Sequence, residues 1–216
     1  MECGDALDHA RLGAGENEVK YELALQVADD MITRLAPYCW RIQVAGSVRR
    51  HEPEVHDVEL VIEPKLIAPL DFLPMFTAAD DPLVSALTTP LIASLGKIKL
   101  NGDRLKKVWL SCGIYLELYV VLKPAQYGNI LSIRTGPKEY SHWLVTPKAQ
   151  GGAMPGYLHE QDGRLLRIDD GTALNTPNEK DFFDALGVRY LPPEERKAPE
   201  EFVRRMKRKL KDQSED

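Results

Sequence analysis

The sequence predicts an α+β protein of two lobes, and three observations point to it. Apolar and polar residues alternate over 57–62 and 114–122, the period of a strand with one buried face. Asn101-Gly102 stands between two apolar runs and marks a tight hairpin. Four-residue recurrence frames these strands, with Val19, Leu23, Val27, Met31 and Leu35 at the start and Phe202, Met206 and Leu210 at the end.

Taken in order, the chain opens with a stretch read as mobile over 1–16. Asn17 is placed to cap a helix running to Leu35, which Pro37 ends. A strand over 41–45 leads to a tight Gly46-Ser47 turn and a second strand from Asp57 to Pro64. Residues 69–81 read as a loop and 82–92 as a helix cut short by Pro90. Strands are expected over 95–100, 104–111 and 114–122. A helix from Pro124 to Arg134 is broken by Thr135-Gly136-Pro137, and Pro137 suits the first turn of the next helix. A hairpin turns at Asp162-Gly163, a helix over 179–186 stops at Gly187, and 199–211 forms a final amphipathic helix.

The chemistry concentrates in Val44 to Glu63. Gly46-Ser47 offers backbone N–H groups and a hydroxyl, which suit phosphate oxygens, and Arg49-Arg50 adds positive charge. In the strand that follows, Asp57 and Glu59 share one face and Val58, Leu60 and Ile62 the other. Their Cα atoms lie roughly 6.5–7 Å apart, so both carboxylates can reach ions on one side of a sheet. Seen alone, this is an ordinary solvated strand face. The order of strand, Gly-Ser, arginine pair and carboxylate pair distinguishes it, because phosphoryl transfer needs a phosphate cradle beside carboxylates. Glu117 is the sole acid in the strand over 114–122. Beside the Asp57 strand it would complete a carboxylate trio; elsewhere it is an exposed acid on a half-buried strand.

Composition narrows the class. With 216 residues, 44% apolar and 28% charged, the chain is an ordinary globular protein of one domain or two small ones. It has no apolar run long enough to span a membrane, and residues 1–15 lack the features of a signal peptide. Cys3, Cys39 and Cys112 fit neither a zinc site nor a disulfide framework, so reduced thiols in a cytoplasmic protein are expected. The net charge of −5 is uneven: 196–211 is strongly basic and could hold a phosphate backbone through Arg204, Arg205, Lys207 and Arg208. A solvated helix face is the plainer reading of those four.

The Gly46-Ser47 turn with the Asp57-Val58-Glu59 strand resembles the signature of polymerase-beta-like nucleotidyltransferases. The Arg49-Arg50 pair points to family X DNA polymerases among them. The likeness runs over 31–197. Leu116-Glu117-Leu118 resembles the strand of the third catalytic acid, and the run ending Arg134-Thr135-Gly136-Pro137 the turn that grips the nucleotide sugar. Residues 179–187 with Tyr190 and 192–196 resemble the closing segment of the polymerases. Little chain precedes Arg41, so the resemblance is to shortened viral members without the N-terminal lyase domain.

The resemblance implies a palm with a mixed sheet over 17–136, a C-terminal α/β subdomain over 137–197 and a basic helix and tail over 198–216. It implies a monomeric, template-directed DNA polymerase that fills gaps or repairs, acting on primer-template or gapped DNA with nucleoside triphosphates. Asp57, Glu59 and Glu117 would hold two Mg2+ or Mn2+ ions. Gly46, Ser47 and Arg50 would bind phosphates, and Ile133, Arg134, Thr135, Gly136, Lys138 and Ser141 would line the nucleotide. Glu stands for the family's usual Asp at two of the three acids, which favours Mn2+ over the geometrically stricter Mg2+. Ile133 and Arg134 replace an aromatic pair at the sugar, so weak discrimination between dNTPs and rNTPs is expected. Two alternatives stay open: an untemplated or small-molecule nucleotidyltransferase, and a catalytically inactive DNA-binding module.

Overall fold

The computed structural model describes residues 19–67 and 84–212. In chain order these form β1 (Val19–Lys20), α1 (Tyr21–Leu35), β2 (Cys39–Val44), α2 (Gly46–Arg49), β3 (Glu54–Val55), β4 (Asp57–Pro64), β5 (Leu66–Ile67), β6 (Val84–Ser85) and α3 (Thr89–Leu95). Next come β7 (Lys97–Asn101), β8 (Leu105–Trp109), β9 (Tyr115–Val120), α4 (Tyr127–Thr135), α5 (Lys138–Val145), β10 (Leu158–Gln161), β11 (Arg164–Arg167), α6 (Glu179–Leu186) and α7 (Glu200–Asp212). The expectations for 1–16, for an Asn17 cap, for a loop over 69–81 and for the tail from 213 lie outside the described residues. So do the side chains of Lys209, Leu210 and Lys211.

The fold is α+β with a mixed sheet, as the sequence predicts, and it is consistent with a nucleotidyltransferase of the kind resembled. The chain divides into two compact units. One comprises Met1–Val44 with Glu54–Leu122, the other Ala45–Pro53 with Lys123–Asp216. This differs from a boundary at residue 137. Residues 127–135 count with the second unit because α4 packs on α5 and α6 and receives α2 as well.

The first unit is built on a five-stranded sheet of order β2-β4-β9-β8-β7. β4 and β9 run parallel, and the other neighbours are antiparallel. Val58, Leu60 and Ile62 of β4 and Leu116 and Leu118 of β9 are fully buried. Helix α1 packs on β4 and β2 and buries Ala24, Val27, Ala28, Met31 and Leu35. Each of the larger of these side chains contributes about 1.5–3 kcal/mol when removed from water.

Three local expectations are corrected in this unit. Helix α1 starts at Tyr21, because Val19 is tied into a two-residue ladder opposite Val55. Pro90 opens α3 rather than cutting a helix, since an N–H is not needed in a first turn. The hairpin between β7 and β8 has a wider connection than two residues, with Asn101 opposite Lys106. The buried Lys106 closes that turn by donating to Asn101 Oδ1 at 2.8 Å and to the Gly102 carbonyl at 3.1 Å.

In the second unit, Tyr140, Leu144, Met154, Leu158, Leu165, Phe182, Phe183 and Leu186 form one apolar core. β10 and β11 pair with Gln161 opposite Arg164, so the hairpin turns at Asp162-Gly163 as expected, with φ of 55° and 77°. α4 begins at Tyr127, three residues after Pro124. α6 carries a capping box between Asn178 and Asp181 and ends at Gly187, whose φ is 66°. In α7, Phe202 is buried and Met206 lies 3.2 Å from His142 Nδ1 through its sulfur, which fixes the apolar face of that helix.

Candidate functional site

The first unit brings the three acids together on one sheet. Parallel pairing sets Asp57 opposite Tyr115 and Glu59 opposite Glu117. Directly paired residues project to the same face, so Asp57, Glu59 and Glu117 share a surface, and each is half-buried. Two like charges directly opposite one another are unfavourable. The Asp57 carboxyl is held above its ordinary range, first by burial and then by the charge of Glu117, against relief from Lys107 and His56.

Lys107 is the counter-charge on this face. Antiparallel pairing of β8 with β9 sets it opposite Glu117, and its Nζ lies 2.6 Å from Glu117 Oε1. The same ammonium stands 4.4 Å from the centre of the Tyr115 ring. Its pKa is raised, chiefly by the hydrogen bond to Glu117. Tyr119 donates its hydroxyl to the other oxygen of Glu117 at 2.7 Å. Sequence reasoning did not single out Lys107 or Tyr119; the alternation in 104–111 was a signal for which face Lys107 takes, but not for its partner.

The donor chemistry of three carboxylates suits a hard divalent cation. The arrangement does not fit one, because both oxygens of Glu117 are engaged by Lys107 and Tyr119. Among the described residues, no group of three His, Cys, Asp or Glu side chains is placed to hold a metal ion.

The second unit holds the residues expected at phosphate and sugar. Gly46 and Ser47 open a one-turn helix, α2, instead of a tight turn, and Gly46 has a φ of 59°. The two arginines that follow both reach the Thr135-Gly136 turn. Arg49 donates to Thr135 Oγ1 at 2.6 Å, and Arg50 to the Thr135 carbonyl at 2.5 Å. Gly136 is required there: its φ is 70°, and a Cβ would stand 2.8 Å from Arg50 Nη1. Thr135 is fully buried and donates to the Leu131 carbonyl at 2.6 Å. Around this turn Ile133 is half-buried, Arg134 and Lys138 are exposed, and Ser141 donates to the Ile133 carbonyl at 2.5 Å.

A buried acid completes the arrangement. Glu179, the first residue of α6, accepts from Arg49 Nη2 at 2.6 Å and from Arg196 Nη2 at 3.1 Å. The Arg196 side chain is wholly buried, donates from Nε to the Leu191 carbonyl at 3.1 Å, and packs over Phe183 and Tyr190. Arg49 therefore acts in this unit as a clamp between α2, α4 and α6. Both Glu179 and Arg196 lie in segments that the sequence marked as polymerase-like, but their pairing was not legible there.

On α7, Arg204, Arg205, Lys207 and Arg208 are all exposed. Arg204 pairs with Glu200 at 3.6 Å and Arg205 with Glu201, each four residues back, which lowers the charge those two offer a ligand.

Residues 131–197 match the family model described as the DNA polymerase beta thumb. The match supports a relationship of this part of the chain to polymerase-beta-like, family X proteins. No curated protein matches the chain. Among the described residues, no helix is long and apolar enough to cross a membrane.

Proposed function

We propose that this protein is a nucleotidyltransferase of the polymerase-beta type that adds nucleotides to the 3′-hydroxyl of a DNA primer on a template, in gap filling or repair. The observation that carries the proposal is the parallel pairing of β4 with β9, which sets Glu59 opposite Glu117 with Asp57 on the same face. A sheet gains no stability from two acids so placed, which supports a cationic ligand on this face. The thumb-like match over 131–197 favours DNA as the partner.

In this reading Asp57, Glu59 and Glu117 take Mg2+ or Mn2+ as their cation once the Lys107 ammonium gives way. Taken by itself, the second unit carries residues suited to a nucleotide. Gly46, Ser47 and Arg50 hold phosphate oxygens, and the Thr135-Gly136 turn, kept rigid by both arginines, receives the sugar. Arg134 and Lys138 add positive charge at that turn, and Ile133 fills space beside it. A fixed turn orients the nucleotide without further loss of freedom when the reaction occurs.

A second reading has its own observation. Glu117 is neutralised by Lys107 at 2.6 Å, as a structural acid would be, which favours a DNA-binding module without catalysis. Primer extension separates the two. Wild-type protein is assayed on gapped, single-stranded and template-free substrates, with Mg2+ and Mn2+ in parallel. Templated extension, faster in Mn2+ and abolished by Asp57→Ala, is expected. Extension of template-free substrates alone favours an untemplated transferase. No extension under any condition, with DNA still bound, favours the inactive module.

A further inference from the structure

We propose that the buried polar stripe of α4 binds one resident water molecule, held by Asn129, Ser132 and Thr176.

Helix α4 turns a polar face inward. Asn129, Ser132 and Thr135 recur every three residues, share one face of the helix and are fully buried. The two ends of this stripe are satisfied by protein groups. Thr135 Oγ1 donates to the Leu131 carbonyl and accepts from Arg49. At the other end, Asn129 Oδ1 accepts from the buried Thr176 Oγ1 at 2.5 Å. Gln126 fixes Thr176 in turn, by accepting its backbone N–H at 2.5 Å while donating to the Leu174 carbonyl at 2.7 Å. The middle is not satisfied in this way. Among the described residues, neither Asn129 Nδ2 nor Ser132 Oγ has a hydrogen-bond partner. A donor left unbonded away from water is costly, so a ligand that serves both groups is strongly favoured.

Spacing and charge select that ligand. Residues three apart on a helix hold their Cβ atoms about 5–6 Å apart. One molecule about 2.9 Å from each polar atom spans such a gap. Gln126, Asn129, Ser132 and Thr176 are all neutral, so an ion among them would be buried without compensation. The Asn129 N–H would also repel a cation. Water suits the set because it both donates and accepts. It accepts from Asn129 Nδ2 and from the Ser132 hydroxyl. It donates to Thr176 Oγ1, whose own hydrogen goes to Asn129 Oδ1. About three hydrogen bonds is the usual complement of a buried water. The water completes a hydrogen-bonded seam from Thr176 to Thr135 and holds α4 in register against the segment that enters α6.

Two measurements on the full chain test this. A crystal structure of the wild type should show one water peak within hydrogen-bond reach of Asn129 Nδ2, Ser132 Oγ and Thr176 Oγ1. In Ser132→Val, a methyl group takes the place of the water and the peak should vanish. In solution, 17O magnetic relaxation dispersion counts waters held for long times inside the protein. Ser132→Val should lose one such water relative to wild type. No peak in the wild type, with Asn129 and Ser132 bonded to protein groups instead, overturns the proposal. So does a peak with the short ligand distances of a cation, or one that Ser132 does not touch. Equal counts of long-lived waters in wild type and Ser132→Val overturn it as well. If Ser132→Val fails to fold, the wild-type crystal structure decides alone.

Discussion

Replacing Glu179 by Ala should destabilise the second unit more than any other single change at an acid. Glu179 is 7% exposed and accepts from two arginines, at 2.6 Å and 3.1 Å. The Arg196 side chain is wholly buried, so truncation of its partner leaves an uncompensated guanidinium away from water. Breaking a buried pair in this way costs about 3–5 kcal/mol. Two terms move the figure. The rings of Phe183 and Tyr190, 5.1 Å and 5.5 Å from the guanidinium carbon, still hold part of the orphaned charge. Such contacts are worth about 1 kcal/mol each. Against that, α6 loses an acid from its first turn, worth up to about 1 kcal/mol. A net loss of about 3 kcal/mol follows, or at least ~10 °C in Tm for a unit of this size. Glu179→Gln keeps one acceptor and should lose about half as much. Lys180→Ala, which removes an exposed pair to Asp184, should leave Tm unchanged. Calorimetry and urea unfolding read all three. A Glu179→Ala protein within about 1 kcal/mol of wild type would refute the reasoning, since Arg196 would then have found another partner.

Three further outcomes are expected. In metal-free buffer, Asp57→Asn should raise stability at pH 7 by up to about 1 kcal/mol, the scale of a relieved like-charge contact. The native carboxyl of Asp57 is held above its ordinary 3.8, so its ionisation weakens the fold as pH rises through the native value. The gain should therefore vanish below about pH 4, and a gain that persists there in denaturant titrations contradicts this origin. Gly128→Ala should lose more than about 2 kcal/mol although Ala is the better helix former by about 1 kcal/mol. Its Cβ would stand 2.1 Å from the Asn178 carbonyl oxygen and 2.6 Å from that of Thr176, both backbone atoms; a neutral melting temperature would show that this backbone can yield. On α7, the double change Lys207→Ala with Arg208→Ala should reduce the slope of log K against log salt for duplex DNA by about 2, at about 0.9 for each phosphate contact. Arg204→Ala should change it less, because Glu200 already holds that side chain; an unaltered slope in fluorescence anisotropy would leave α7 as a solvated helix.

The sequence by itself determined the order of the elements and the parity of their faces. Alternation over 57–62 is enough to put Asp57 and Glu59 opposite Val58, Leu60 and Ile62, because a strand has a fixed period of two. Asp162-Gly163 and Gly187 likewise mark their turn and helix stop, since positive φ is a local demand that few residues meet. The tertiary structure decided everything that depends on which element lies beside which. No local pattern states that β4 pairs parallel with β9, yet that register alone sets Glu59 against Glu117. Nor does any local pattern bring Lys107 to Glu117 from the neighbouring strand, or send Arg49 to Thr135 and Glu179 rather than to a phosphate. Even Pro90, which stops a helix interior, proved to open one, because the first turn of α3 needs no N–H there. Side-chain parity is fixed by backbone geometry within a few residues. Charge pairing is fixed by packing between segments far apart in the chain, so the acids were legible and their partners were not.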